Sequence, residues 1–153
     1  MIKVLPERLC GNPIRLDQFV PYDELKNAIE VKGREYGIPI VVEMDEVKVG
    51  KGLTALAVSA DPCLVVYHAN HRKDYYNYIL TQTLQGNFSF LSQYLGGDSK
   101  NYRNKTIGEN SRSLVANIVG GRAKKKYQEE SMYYDIVNEV IGQALEYLGF
   151  RSC

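Results

Sequence analysis

The 153-residue chain has the length of one domain, and 44% hydrophobic with 24% charged residues is globular usage that excludes disorder. Its formal net charge of +1 gives the chain as a whole no pull towards polyanions. No stretch approaches the ~20 consecutive apolar residues of a spanning helix. Met1 to Pro6 lacks the apolar core of a secretory signal.

Cys10, Cys63 and Cys153 lie too far apart for a disulfide framework or a zinc ribbon. They read as inert thiols in a reducing compartment, so the expected location is the cytoplasm. Twelve tyrosines stand against four phenylalanines and no tryptophan. Tyrosine packs its ring and keeps its hydroxyl hydrogen-bonded, which suits a half-open sheet or a self-association surface.

The first helix is expected from Pro21 to Tyr36. Pro21 opens it, Asp23 and Glu24 favour its positive end, and Gly37 stops it. Tyr22, Leu25, Ile29 and Tyr36 form the apolar stripe, and Glu30 is placed to pair with Arg34. Ile38 to Met44 reads as a strand, and Val47 and Val49 continue it on the other parity. That phase slip predicts a bulge or turn at Asp45-Glu46.

Gly50-Lys51-Gly52 marks a hairpin, Leu53 to Ala60 a strand, and Cys63 to His68 a short buried strand. Two further strands, Tyr75 to Leu84 and Phe88 to Leu95, flank a turn at Gln85-Gly86-Asn87. Turns this short require antiparallel neighbours. Ser111 to Val119 is expected to form a short helix ended by Gly120-Gly121. The last helix carries a stripe of Tyr133, Ile136, Val137, Val140, Ile141, Ala144 and Leu148, closed by Gly149 with Phe150 folding back on Leu145.

Residues 1–153 therefore read as a single α+β domain. An antiparallel β-meander of about five strands is covered on one face by an N-terminal helix and a long C-terminal helix. This element order resembles the helix-grip fold, in which a long C-terminal helix lies across a curved antiparallel sheet. An architecture of this kind does not fix a function.

His68 and His71 are the only two histidines, with Asp74 and Cys63 nearby. Two imidazoles and a carboxylate are the ingredients of a zinc or iron site or an acid–base pair. Cys63 and His68, five apart on a strand, face opposite sides. The plainer reading is one histidine at a strand end and one on a loop, with no metal site assigned.

The segment from Asp98 to Lys126 holds eight cations: Lys100, Arg103, Lys105, Arg112, Arg122, Lys124, Lys125 and Lys126. Only Asp98 and Glu109 oppose them, which leaves +6 here and −5 on the rest of the chain. Lys100, Arg103, Lys105, Arg122, Lys124, Lys125 and Lys126 are the candidate ligand-binding residues. A phosphorylated ligand, an anionic lipid surface or nucleic acid would meet them; the plainer reading is a solvated face or a contact with the acidic remainder of a second copy. Either the last helix starts near Ser131, or the amides at Gly120-Gly121 attract an anion beside the cations. Tyr102 and Tyr127 lie among them, but a pI near 7.7 and the lack of any nucleic-acid motif speak against a dedicated nucleic-acid binder.

Tyr76, Tyr78, Phe88, Phe90 and Tyr94 are expected either to line an apolar cavity or to form core beneath the last helix. The chain shows no GxSxG elbow, Walker A loop, GxGxxG fingerprint or HExxH pair. No cofactor or catalytic residue is assigned. The function expected is non-catalytic binding or self-association. Anion binding through the basic segment, or a small metal-dependent enzyme at His68 and His71, are the alternatives.

Overall fold

The computed structural model describes residues 1–50, 58–97 and 114–150, the side chains of 114–127 excepted. In chain order these form β1 (Ile2–Val4), a 3-10 turn at Pro6–Arg8, β2 (Ile14–Leu16), α1 (Tyr22–Glu35) and β3 (Ile40–Val49). Then follow β4 (Asp61–His68), β5 (Asn77–Gln85), β6 (Phe88–Gly96) and α2 (Leu114–Tyr147). The strands make one six-stranded sheet in the order β1-β3-β4-β5-β6-β2. Every neighbouring pair is antiparallel except β1 with β3. The class is α+β, and none of the described helices is long and apolar enough to cross a membrane.

The two strands the sequence did not reveal, β1 and β2, have three residues each, too few to show a period. They join opposite edges of the sheet. β1 lies beside β3, whereas Leu9 bridges to Tyr94 and β2 pairs with β6. Cys10 N–H donates to the Gln93 carbonyl at 2.7 Å. β1 also touches β6 across the intervening strands, so the sheet is strongly curled. The expected strand at Leu53 to Ala60 falls outside the described residues up to Ala57, and Val58 to Ala60 are not strand.

Both helices cover the same face. Leu25, Ala28 and Ile29 of α1 and Tyr134, Val137, Val140, Ile141 and Ala144 of α2 pack on Val42, Leu64, Val66, Tyr78 and Leu80. Each fully buried aliphatic side chain here contributes about 1.5–3 kcal/mol. The opposite face holds a second cluster of Val4, Val47, Cys63, Val65 and Ile79, with Tyr67 and Tyr94 against it.

This second cluster explains the phase slip in β3. The pairing of β3 with β4 runs without interruption from Ile40↔His68 to Val47↔Asp61, so no bulge exists. Instead Val42 is buried under the helices and Val47 is buried on the other face. One regular strand changes its apolar parity because each end is covered on a different side.

α1 is held at both ends. Near its start, Gln82 Nε2 donates to the Val20 carbonyl at 2.7 Å, and Gln82 N–H donates to Tyr22 Oη at 2.9 Å. Near its end, Gly33 lets the helix approach β3, since a Cβ there would lie 3.1 Å from Ile40 Cδ1. Tyr36, expected on the buried stripe, is exposed because the helix has ended, and Glu30 pairs with Lys26 at 3.0 Å, not with Arg34. The β5–β6 hairpin turns on Gly86-Asn87, with Gly86 at φ +61° as the first position of a type II′ turn requires.

α2 corrects the reading of the C-terminal third. It runs unbroken through Gly120-Gly121 for 34 residues, about 51 Å at 1.5 Å per residue. Two glycines cost about 1 kcal/mol each in a helix, and the Arg122-Ala123-Lys124-Lys125-Lys126 run after them is made of good helix formers. At the far end Phe150 N–H donates to the Leu145 carbonyl at 3.0 Å, with Gly149 at φ +81°, a Schellman closure.

Candidate functional site

The two histidines come together at the end of β4. Their rings stack with centroids 4.4 Å apart and planes 22° from parallel. Tyr133 of α2 tilts against His68 at 4.6 Å, and Tyr75 meets His71 edge-on at 4.8 Å. Tyr75 Oη donates to Glu130 at 2.8 Å, and Tyr133 Oη donates to the Pro39 carbonyl at 2.7 Å. Burial, and then the neighbouring His71, hold the His68 imidazole below its ordinary pKa.

This arrangement does not make a metal centre as placed. Ring lone pairs lie in the ring planes, so two stacked imidazoles point side by side. They cannot converge on one ion at the ~2.0–2.1 Å that zinc requires. His68 Nδ1 already accepts the Asn70 N–H at 3.0 Å. Asp74 is exposed and sits 3.6 Å from Arg72. Cys63 lies on the opposite face of the sheet, where burial pushes its thiol up to about 12 and away from the reactive thiolate. His71 Nδ1 is buried with no hydrogen-bond partner among the described residues.

The aromatic set separates as well. Tyr78 pairs with Leu95, which places it on the helix-covered face, while Phe88, Phe90 and Tyr94 alternate onto the other. Tyr76, Tyr78 and Tyr134 stack on one another beneath α2, and Tyr134 Oη donates to the Tyr76 carbonyl at 2.9 Å. These rings are core, not the lining of a shared cavity.

Of the cationic candidates, Lys100, Arg103 and Lys105 lie outside the described residues. Arg122, Lys124, Lys125 and Lys126 fall within α2, eight to twelve residues after its first residue, Leu114. The macrodipole acts within the first turn, so these cations do not oppose it. The amides at Gly120-Gly121 are inside the helix and are not available as an anion nest.

A different feature emerges along β3. β1 covers only Val47 to Val49 of its outer edge, so Ile40 to Glu46 has no strand beside it among the described residues. Three contacts fix which backbone groups point outward. Gly50 N–H donates towards β1, to the Val4 carbonyl, and the Pro39 carbonyl accepts from Ala69 on the β4 side. Glu46 N–H is taken by the Asp45 carboxylate at 2.7 Å. By alternation, Val42 and Met44 direct their N–H and C=O groups at the open edge.

A groove of about 520 Å³ runs along that edge, lined by Asp23, Lys26 and Asn27 of α1 and Val42, Glu43 and Met44 of β3. Met44 is 58% exposed there. Lys26 is engaged by Glu30 at 3.0 Å, while neither Asp23 nor Glu46 has an ion-pair partner among the described residues. On the opposite face Lys73 bridges Asp45 at 2.6 Å and Glu43 at 3.0 Å. Tyr67 Oη donates to Glu43 at 2.7 Å, and this bond, with Lys73, holds the Glu43 carboxyl below its usual range. The Lys73 bond does the same for Asp45.

This groove was not identified from the sequence, because an edge is defined by which strands fail to pair with it. The one local cue was Glu43-Met44-Asp45-Glu46, an acidic stretch unusual inside a strand and typical of an edge. No family model, no curated protein and no solved structure matches the chain.

Proposed function

We propose that this domain is a non-catalytic binding or self-association module. The observation that supports it is the outer edge of β3, where Val42 and Met44 present backbone donors and acceptors into a groove beside α1. Unpaired strand groups are a ready template for another chain. The scaffold behind them is anchored: α1 is hydrogen-bonded to β5 at one end and packed on Ile40 at the other. A shallow, open groove beside such an edge leaves room for an added strand.

Selection of displayed peptides against the folded domain tests this, together with sedimentation over a wide concentration range. Enriched peptides, or a mass that rises with concentration, are the expected results. A strict monomer that enriches nothing would remove the proposal.

A second reading takes the cationic run of α2 as an anion-binding surface, together with Lys100, Arg103 and Lys105. It is favoured by the helix itself, which gathers Arg122, Lys124, Lys125 and Lys126 within about 6 Å of axis. It predicts salt-sensitive binding to anionic vesicles. Unchanged binding after Lys124→Glu, Lys125→Glu and Lys126→Glu together would sink it.

A further inference from the structure

We infer that the β3 groove takes an extended, cationic segment of a partner protein, added to the sheet as a strand. This rests on the binding reading above and assigns it a site and a ligand chemistry. Two independent features converge on it.

The first is backbone geometry. Ile40 to Glu46 offers an edge about 20 Å long at ~3.3 Å per residue. Val42 and Met44 point their amides and carbonyls outward, spaced as an incoming strand requires. The outward amide at Glu46 is already taken by Asp45, which caps the edge next to β1. Pairing is therefore confined to the stretch that borders α1. An edge flanked by a helix admits an extended chain whose alternate side chains enter the groove, and here Met44 is the exposed apolar floor.

The second is charge. Asp23 on the helix rim and Glu46 at the end of the edge are exposed carboxylates with no ion-pair partner among the described residues. Lys26, the only cation lining the groove among the described residues, is neutralised by Glu30. Behind the strand, the two charges of Glu43 and Asp45 are offset by Lys73 and by the Met1 ammonium, 3.6 Å from Asp45, so the uncompensated carboxylates of the groove are Asp23 and Glu46. Asp23 and Glu46 therefore set the charge that an incoming side chain meets. A second β3 paired antiparallel about Met44 would set Glu43 of each copy opposite Asp45 of the other, and like charges facing each other oppose such pairing. A strand with basic side chains meets no such penalty.

The probe is a capped seven-residue peptide alternating valine and lysine, the length of Ile40 to Glu46. Its binding is followed through the backbone amide resonances of the whole protein. The lysine peptide is expected to shift the Val42 and Met44 amides most. Glutamate in place of lysine should weaken it by about tenfold or more. N-methylation of the peptide amides that face β3 should abolish binding.

Met44→Pro removes a donor that the sheet does not use, and proline is tolerated where the N–H faces outward. It should keep the fold and lose the peptide. Asp23→Lys with Glu46→Lys, both on exposed positions, should keep the fold and weaken binding about tenfold. The assignment is overturned if the Val42 and Met44 amides do not respond, or if the glutamate peptide binds equally well. It is also overturned if Met44→Pro folds and still binds. A peptide footprint elsewhere on the domain overturns the groove and leaves the binding reading standing. The absence of any peptide binding, with a strict monomer in sedimentation, removes both.

Discussion

β3 has two contrasting surroundings. At its first residue, Ile40 pairs with His68, and the strand end is sealed by a plug of stacked rings: His68, His71, Tyr75 and Tyr133. A few residues on, at Val42 to Met44, the outer edge borders an open groove. The residues richest in chemistry are spent on packing. The hydroxyls of Tyr75, Tyr133 and Tyr134 have acceptors, and their rings have neighbours. The groove is lined by unremarkable residues, yet its backbone groups face outward. Binding capacity here lies in unpaired main chain, which composition does not reveal.

The comparison breaks most clearly in the ring plug and the core beside it. Tyr134 is 2% exposed, its ring lies 3.9 Å from that of Tyr76, and its hydroxyl is bonded. Tyr134→Ala should cost about 3–5 kcal/mol in urea unfolding. Tyr134→Phe should cost only about 1 kcal/mol, the share of the hydrogen bond. If both variants cost the same, the ring is not packed as described.

Next in size is the pH response of the plug. The folded state holds the His68 imidazole below its ordinary pKa, so the neutral form is favoured on folding. Its contribution to stability is fully present above the unfolded value, about 6.5, and is lost as pH falls through the lower folded value. Stability should decline on acidification in that window, and His68→Gln should flatten the decline. Glu43 and Asp45 act in a separate, more acidic window. Their folded values lie below the ordinary 4.5 and 3.8, so their contribution is lost only as pH falls through those lower values.

Smaller still is the Lys73 bridge behind the edge. Glu43 and Lys73 are substantially exposed, so Lys73→Met should cost no more than about 1 kcal/mol. Smallest is Met44→Lys at the groove itself, expected within about 0.5 kcal/mol of the parent because the side chain stands in solvent. It should nevertheless repel a lysine-bearing peptide. A large stability loss from Met44→Lys would mean that the groove is part of the core.

Much of the fold was legible because its signals are local. The stripe of α1, the Gln85-Gly86-Asn87 hairpin and the Gly149-Phe150 closure each rest on residues a few positions apart. The misreadings share a different cause. Val47 suggested a bulge because an isolated strand has one buried face, whereas this sheet is buried on both. Gly120-Gly121 suggested a break because two glycines outweigh their neighbours in a short window but not in a helix of 34 residues. β1 and β2 are strands only because β3 and β6 are there to pair with them. Of the candidate site, His68 and His71 were legible as neighbours, but their stacking was not. The groove depends on how far β1 extends along β3, which no local pattern encodes.

Amide hydrogen exchange along β3, in the protein without any ligand, tests the open edge most directly. Val41 and Glu43 direct their amides to β4 and should be protected, while Val42 and Met44 direct theirs into the groove and should exchange fast. An alternation of slow and fast from Val41 to Met44 is the expected pattern. Uniform protection of all four would mean that the edge is already paired, and the binding site assigned here would be wrong.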